Sequence, residues 1–325
     1  MRVSTNPMKR RIPIMSRIPD KEKLLMVIDG SNLAHRAFEK FKNLKSRNET
    51  PTGMVYGFMR LLNQYVIRFH PTFVLVTFDT SKSKSSNYKL KLLGEYKEHR
   101  KRLNIDYESF NMQLETVKKM VKYLGLSYIW DSKGLGHESD DYIAYYSKRH
   151  SGKVLIISSD KDFCQLISSR IKIFNPFKEV IIRKENCSEI MGYSPEECVD
   201  YLSLVGDKSD DIPGYIGIGP VKARKFLDQF GSIKAFLDNE KAEFPGIDRD
   251  GLKYLAKKNE KLINLDYAIT RINKKGIKPP LYSVKEIDKD KLRNEFKKLT
   301  LRSFCNSQFL STFERLKSFK YVALS

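Results

Sequence analysis

Short apolar runs rich in β-branched residues recur along the chain, and each runs into an acid. Leu24–Ile28 ends at Asp29, Phe73–Phe78 ends at Asp79, and Val154–Ile157 leads through Ser158 and Ser159 to Asp160. Continuous runs of this length suit strands buried on both faces. Between them apolar residues repeat at helical spacing, most clearly over Gly53–Phe69 and Met112–Leu124. The alternation predicts an α/β fold: a mostly parallel central sheet flanked by helices. Open sheets of this kind bind ligands beyond the carboxyl ends of their strands. Three acids at three strand ends would then face one crevice.

The pattern breaks twice. Thr80–Asn87 is mostly Ser and Lys, and Tyr88–Arg102 mixes basic, aromatic and apolar residues. A stretch this long is a functional candidate rather than an ordinary loop. From Pro195 to about Asp266 the chain turns helical around a cluster of Gly214, Gly217 and Gly219. Ile287–Leu316 reads as a closing segment, strand then helix.

Composition adds a sign. The 325 residues are 41% hydrophobic, ample for a core, and carry 60 Lys and Arg against 39 Asp and Glu, a net charge of +21. Such a surface attracts polyanions, nucleic acid foremost; solubility is the plainer alternative. The four cysteines form no CxxC pair, which fits free thiols in a reducing compartment. No run approaches the ~20 apolar residues needed to cross a bilayer, so no membrane association is expected. Arg2, Lys9, Arg10, Arg11 and Arg17 all precede the first acid, Asp20, and prolines at 7, 13 and 19 interrupt them. Residues 1–22 are read as a disordered basic arm rather than a helical transit segment.

Beyond the strand ends lie three dense acid clusters: Glu138, Asp140 and Asp141; Asp160 and Asp162 around Lys161; and Asp207, Asp210 and Asp211 within Gly206–Gly214. Singly, each is a helix cap or a turn acid. Gathered in one crevice, their repulsion and desolvation would be prohibitive without cations. Oxygen ligands with no His/Cys set select Mg2+ or Mn2+ over zinc. Two such ions ~3.5–4 Å apart can clamp a phosphodiester. With no GK[ST] phosphate loop, an NTPase is disfavoured. Phosphodiester hydrolysis is the chemistry left.

Met26–Leu33 followed by His35–Phe38 resembles the opening of the 5′-nuclease family, which includes the 5′-3′ exonuclease domain of bacterial DNA polymerase I and stand-alone phage and bacterial flap endonucleases. Val55–Phe58, Phe78–Asp79, Glu95–Arg100, Gly136–Asp141, Ser159–Asp162 with Gln165–Leu166, Gly206–Gly214 and Gly217–Gly219 follow in the family's order. Each is weak alone; collinear over about Leu24 to Phe313, they are specific.

The resemblance implies a PIN-like nuclease core over 23–194 with a helical arch at 80–111. It further implies a helix-hairpin-helix region over 195–280 and a C-terminal segment, 281–325, packed back on the core. It implies a metal neighbourhood of Asp29, Asp79, Glu138, Asp140 and Asp141, with Asp160, Asp162, Asp207 and Asp210 completing it and building the second. Two Mg2+ ions, replaceable by Mn2+, are the expected cofactors. Lys97 and Arg100 match the family's basic pair that grips the scissile phosphate; without the motif they would read as a solvated helix face. Lys82, Lys84 and Lys89 would line the arch, with Tyr88 and Tyr96 either stacking bases or packing the arch against the body. Gly214, Gly217, Gly219 and Lys222 would approach duplex phosphates at a helix N-terminus, unless the loop is only a glycine-rich turn. Related modules also seat K+ on loop carbonyls, an option carried over here.

Three departures stand out. Asp211 takes the place of the usual Asn, Lys89 of an Arg, and Gly94 of a frequent Pro. The expected partners are DNA with a 5′ flap, nick or 5′ end, RNA–DNA hybrid in addition, and a separate DNA polymerase. A monomer is expected, in bacterial or phage-infected cytoplasm or another DNA-containing compartment, an organelle included. The competing readings are a structure-specific DNA-binding protein with weak or no catalysis and, more remotely, an RNA-cutting nuclease.

Overall fold

The computed structural model describes residues 23–79, 87–98, 106–130, 135–274, 281–282 and 286–316. The basic arm at 1–22 and three of the expected phosphate contacts, Lys82, Lys84 and Arg100, lie outside the described residues.

The chain alternates as its apolar pattern predicts. β1 (Leu24–Asp29) leads into α1 (Gly30–Lys40) and α2 (Gly53–Phe69), and β2 (Phe73–Phe78) is followed by α3 (Tyr88–Leu92) and α4 (Tyr107–Tyr123). Next come β3 (Ser127–Trp130), α5 (Ser139–Arg149), β4 (Lys153–Ile157), a 3-10 turn at Lys161–Leu166, β5 (Ile171–Asn175) and β6 (Val180–Ile182). The sheet is completed by a short strand far along the chain; its order is β6-β5-β4-β1-β2-β3 and then that strand, Leu281–Tyr282. The five strands from β5 to β3 in that order run parallel, while the two edge strands are antiparallel. Parallel strands buried on both faces explain why these runs read as continuous rather than alternating.

Alternate strand residues feed two cores. Met26, Ile28, Val74, Val76 and Ile157 pack with α1, α2 and α4 on one face, whereas Leu25, Val27, Leu75, Val154 and Ile156 pack with α5 on the other. The helical region that follows comprises α6 (Cys187–Met191), α7 (Cys198–Val205), a two-residue ribbon of β7 (Gly206–Asp207) and β8 (Ile212–Pro213), α8 (Pro220–Phe230), α9 (Ile233–Asp238), α10 (Arg249–Ile263) and α11 (Leu265–Lys274). It builds a third core around Leu204, Ile218, Phe226, Phe236 and Leu252. After the edge strand β9 (Leu281–Tyr282) come α12 (Lys289–Lys298) and α13 (Ser307–Glu314), which return to the first core through Leu292, Phe296 and Phe309. The strand expected within 287–316 is therefore absent there: the last strand among the described residues comes earlier, and 287–316 holds α12, a 3-10 turn and α13. All four cysteines are free thiols. Among the described residues, no helix is long and apolar enough to cross a membrane.

Candidate metal centre and nucleic-acid interface

β4, β1 and β2 are neighbours at the middle of the sheet, so their carboxyl ends put Asp160, Asp29 and Asp79 at one edge. The first turn of α1 ties the three ends together. Asp29 accepts from Asn32 N–H at 3.0 Å, capping the helix, and from Ser158 Oγ at 2.9 Å. Ser31 Oγ accepts from Asp79 N–H at 2.8 Å, and Asn32 Oδ1 accepts from Ser159 Oγ at 3.0 Å. Glycine must follow Asp29, because a Cβ on Gly30 would lie 2.6 Å from Thr77 O. Asp79 in turn accepts from Ser139 N–H at 2.8 Å, fixing the start of α5.

α5 opens with three acids whose environments differ. Glu138 sits at its N-cap and faces cations: Lys97 Nζ lies 2.9 Å from Oε1 and Lys89 Nζ 3.2 Å from Oε2. Burial pushes the Glu138 carboxyl up, but the two lysines and the hydrogen bonds from Lys97 and Tyr96 outweigh it and hold it well below the usual range. Asp141 is fully buried behind it, with Oδ2 at 3.2 Å from both Glu138 N–H and His137 Nδ1. Its Oδ1 has no hydrogen-bond partner. Asp140 is half-buried, and its carboxyl is pushed well up by burial and by Asp160, against Lys97.

The second group enters from two directions. Asp160 caps the 3-10 turn by accepting from Asp162 N–H at 2.9 Å. Asp162 is buried, with an Oδ1 that has no partner. Asp207 accepts from Ser209 Oγ at 2.6 Å and from Lys161 Nζ at 2.9 Å, which together overcome burial and lower its pKa. The ribbon that delivers Asp207 and Asp210 is pinched by two glycines. Gly206 has φ +82, and a Cβ there would lie 2.4 Å from Gly214 N; a Cβ on Gly214 would meet Val205 at 2.4 Å. Asp211 also adopts a left-handed backbone, φ +56. Asn and Asp tolerate that region best among residues with a side chain.

Electrostatically the two groups are one neighbourhood. Burial, with Asp79 and Asp160 adding, pushes the Asp29 carboxyl up to about 7 against the Asn32 hydrogen bond. Asp160 is raised by burial and by Asp210, and Asp162 is raised well above its usual value by burial, Asp160, Asp207 and Asp210. As placed, no three His, Cys, Asp or Glu side chains among the described residues stand ready to grip one ion. The donor set nevertheless fits a hard divalent cation. It is all oxygen, two of its buried oxygens lack a hydrogen-bond partner, and Asp29, Asp79, Asp140, Asp160 and Asp162 have no lysine or arginine pair among the described residues.

Two expected DNA contacts turn inward. Lys89 is buried against Glu138, with Asp141 3.9 Å away, and these charges keep it protonated despite burial. Tyr96 is buried too, its hydroxyl on Glu138 and Asp210 rather than its ring facing a base. Tyr88 is likewise buried, with the Arg271 guanidinium 4.2 Å from its ring centroid. The physical reason is the same for Lys89 and Tyr96: buried carboxylates from distant parts of the chain need donors. Gly214 packs against the backbone of Val205 and Gly206, so the ribbon itself requires a glycine there. Gly217 (φ +79) and Gly219 do face open space, Gly219 at the start of α8, and Lys222 is exposed one turn on. Ser31, Asn32, Ser139, Ser158 and Ser209, which orient the acids, were not singled out from the sequence; small polar residues beside Asp were their only signal.

Comparison with known proteins is consistent along the chain. Residues 24–192 match the family model of the 5′-3′ exonuclease N-terminal resolvase-like domain, and residues 193–295 match that of the 5′-3′ exonuclease C-terminal SAM fold. A 5′-3′ exonuclease of Aquifex aeolicus is 31% identical over 288 residues, covering 86% of this chain and 93% of the relative. The thermostable DNA polymerase I of Thermus aquaticus is 31% identical over 282 residues, and there the match spans 32% of the polymerase. A solved flap endonuclease of bacteriophage T5, in complex with DNA and metal ions, aligns with a TM-score of 0.64 at 20% identity over 90% of this chain, a likeness of fold. The chain belongs to the 5′-3′ exonuclease family, and its reaction is phosphodiester hydrolysis.

Proposed function

We propose that this chain is a structure-specific 5′ nuclease that cuts DNA at 5′ flaps, nicks and 5′ ends, leaving a 5′ phosphate and a 3′ hydroxyl. The observation that carries this is the gathering of acids from three strand ends, the start of α5 and the β7–β8 turn, with four carboxyls pushed up by burial and one another. Asp29, Asp79, Glu138, Asp140 and Asp141 would hold one Mg2+, and Asp160, Asp162, Asp207 and Asp210 the other, with Mn2+ able to replace either. When bound, such ions supply Lewis-acid activation of water and charge neutralisation at the phosphate.

The chain's own groups account for binding and orientation. Lys97, at the crevice beside Glu138, would place positive charge against the scissile phosphate as its negative charge grows, with Arg100 as partner. The open backbone at Gly217 and Gly219, at the N-terminus of α8, would take a duplex phosphate, and Lys222 would add charge there. That contact reads shape rather than sequence, as removal of flaps and RNA primers in replication or repair requires. A K+ ion on the loop carbonyls and a separate polymerase as partner belong to the same reading, as do monomeric action and a cytoplasmic setting.

A 5′-labelled flap duplex is incubated with Mg2+ and, separately, with excess chelator. Cleavage in the first tube alone is expected; equal cleavage in both removes the metal mechanism. Asp160→Asn is expected to abolish cleavage while retaining flap affinity. The second reading, DNA binding with weak catalysis, is favoured by the Lys89 and Lys97 ion pairs that already occupy Glu138. It gains if wild-type protein binds flaps but leaves them intact in Mg2+.

A further inference from the structure

Tyr96 lies in the stretch expected to face nucleic acid, yet its hydroxyl ends among the acids. The oxygen is 2.8 Å from Glu138 Oε2 and 2.9 Å from Asp210 Oδ2. Those carboxylates come from different parts of the fold. Glu138 opens α5 on the sheet, whereas Asp210 sits in the turn between β7 and β8. A phenol carries one proton, so it bridges the two carboxylates by sharing that proton between them. Lys97 supplies the complement, with Nζ 2.9 Å from Glu138 Oε1 and 3.4 Å from Asp210 Oδ2. The backbone repeats the tie, since Lys97 N–H donates to Asp210 O at 3.1 Å.

We propose that Tyr96 is a positioning residue whose hydroxyl holds Glu138 and Asp210 in register across the two acid groups and so prepares both for divalent cations. This rests on the assignment of those acids as cation ligands. The contrast with its neighbours carries the argument. Lys89 and Lys97 also hold Glu138, but each brings a positive charge that opposes an incoming cation. Tyr96 orients the same oxygens while adding no charge. Tyr96 is 3% exposed, so the two carboxylates rather than bulk water take its hydroxyl. The ring itself is held separately, with Lys97 Nζ 4.9 Å and Lys89 Nζ 5.8 Å from its centroid. Phenylalanine there keeps the packing and both cation–π contacts and loses only the oxygen.

Hydrogen-bonded partners behind metal ligands typically account for 10–100-fold in metal affinity. Tyr96→Phe is therefore expected to bind Mn2+ about 10-fold more weakly than wild type by titration calorimetry on DNA-free protein. Its melting temperature should stay close to wild type, which a merely structural loss would not allow. Equal or tighter Mn2+ binding by the folded variant overturns the proposal. An independent reading uses wild-type protein alone: added Mn2+ is expected to slow hydrogen exchange at the Tyr96 and Lys97 amides, and unchanged or faster exchange overturns it. Wild type that binds no Mn2+ would instead sink the metal assignment itself. Wild type that binds Mn2+ no better than Tyr96→Phe sinks only the positioning role.

Discussion

Raising the pH in the presence of a chelator is expected to destabilise this protein, because its acids are crowded and dry. Asp29 shows the size of the effect. Its carboxyl goes from an ordinary 3.8 to about 7 on folding, chiefly through burial. A folded form that holds its proton more tightly than the unfolded chain gains stability that is complete below the unfolded pKa and is lost as pH rises through the folded one. At about 1.36 kcal/mol per pH unit, Asp29 alone forfeits about 4 kcal/mol between about pH 4 and pH 7. Asp140, Asp160 and Asp162 are pushed the same way and add to the loss. Glu138 and Asp207, held low, act in the opposite sense, but only below the ordinary carboxylate range. At about 2.1 cal/mol/K per residue, a chain of 325 residues shifts by roughly 1.5 °C per kcal/mol, so the Asp29 share between about pH 5 and pH 7, about 3 kcal/mol, is a drop of roughly 4 °C, to which the other raised acids add. Calorimetry in EDTA measures it. Saturating Mg2+ at the higher pH should recover much of it, since a ligand at 100 times its Kd adds about 2.7 kcal/mol. A melting temperature that is flat or rising across this range in EDTA, or that Mg2+ leaves unmoved at the higher pH, refutes the reasoning.

Three substitutions probe the remaining parts. Lys97→Ala is expected to slow flap cleavage by about 10²–10³-fold, read from single-turnover gels; an unchanged rate takes Lys97 out of the chemistry. Lys89→Met strips a buried counter-charge from Glu138 and is expected to cost about 3 kcal/mol in urea unfolding, the low end for a broken buried pair because Lys97 remains. A gain in stability would mean that Lys89 is dispensable. Gly206→Ala forces a side chain into φ +82 and against Gly214 N. A loss of about 2–3 kcal/mol is expected, with weaker Mn2+ binding as Asp207 shifts; wild-type behaviour in both would remove the pinch from the account.

Much of the acidic edge of the sheet was legible in the sequence because it is built from backbone rules. A β-branched run buried on both faces ends where its apolar residues end, so Asp29, Asp79 and Asp160 could be placed at strand ends, and a parallel sheet puts such ends together. The direction of Lys89 and Tyr96 was not legible. Their surroundings in sequence are Lys, Tyr and Leu, which suit a solvated or nucleic-acid-facing stretch equally well. What turns them inward is the need of Glu138 and Asp210, which lie far along the chain. The packing need for Gly214 was not legible for a related reason: only the three-dimensional path of Gly206 shows why no Cβ fits there. Asp211, a departure from the family pattern, turns out to occupy a left-handed backbone position that Asn also favours.

The adjacency of β4, β1 and β2 has one more consequence. Neighbouring strands stand about 4.8 Å apart, so the sheet acts as a ruler whose divisions carry the acids. Asp29 stands level with Thr77 on β2, and Asp79 and Asp160 leave the neighbouring strands just past that level, so the three acids start from ends whose spacing the sheet sets. The segment at 87–98 reaches this edge through side chains and one amide and is free of the ruler. Lys89, Tyr96 and Lys97 can therefore shift against Glu138 and Asp210 without moving a strand, so the acids at the strand ends keep their spacing while the groups facing them adjust.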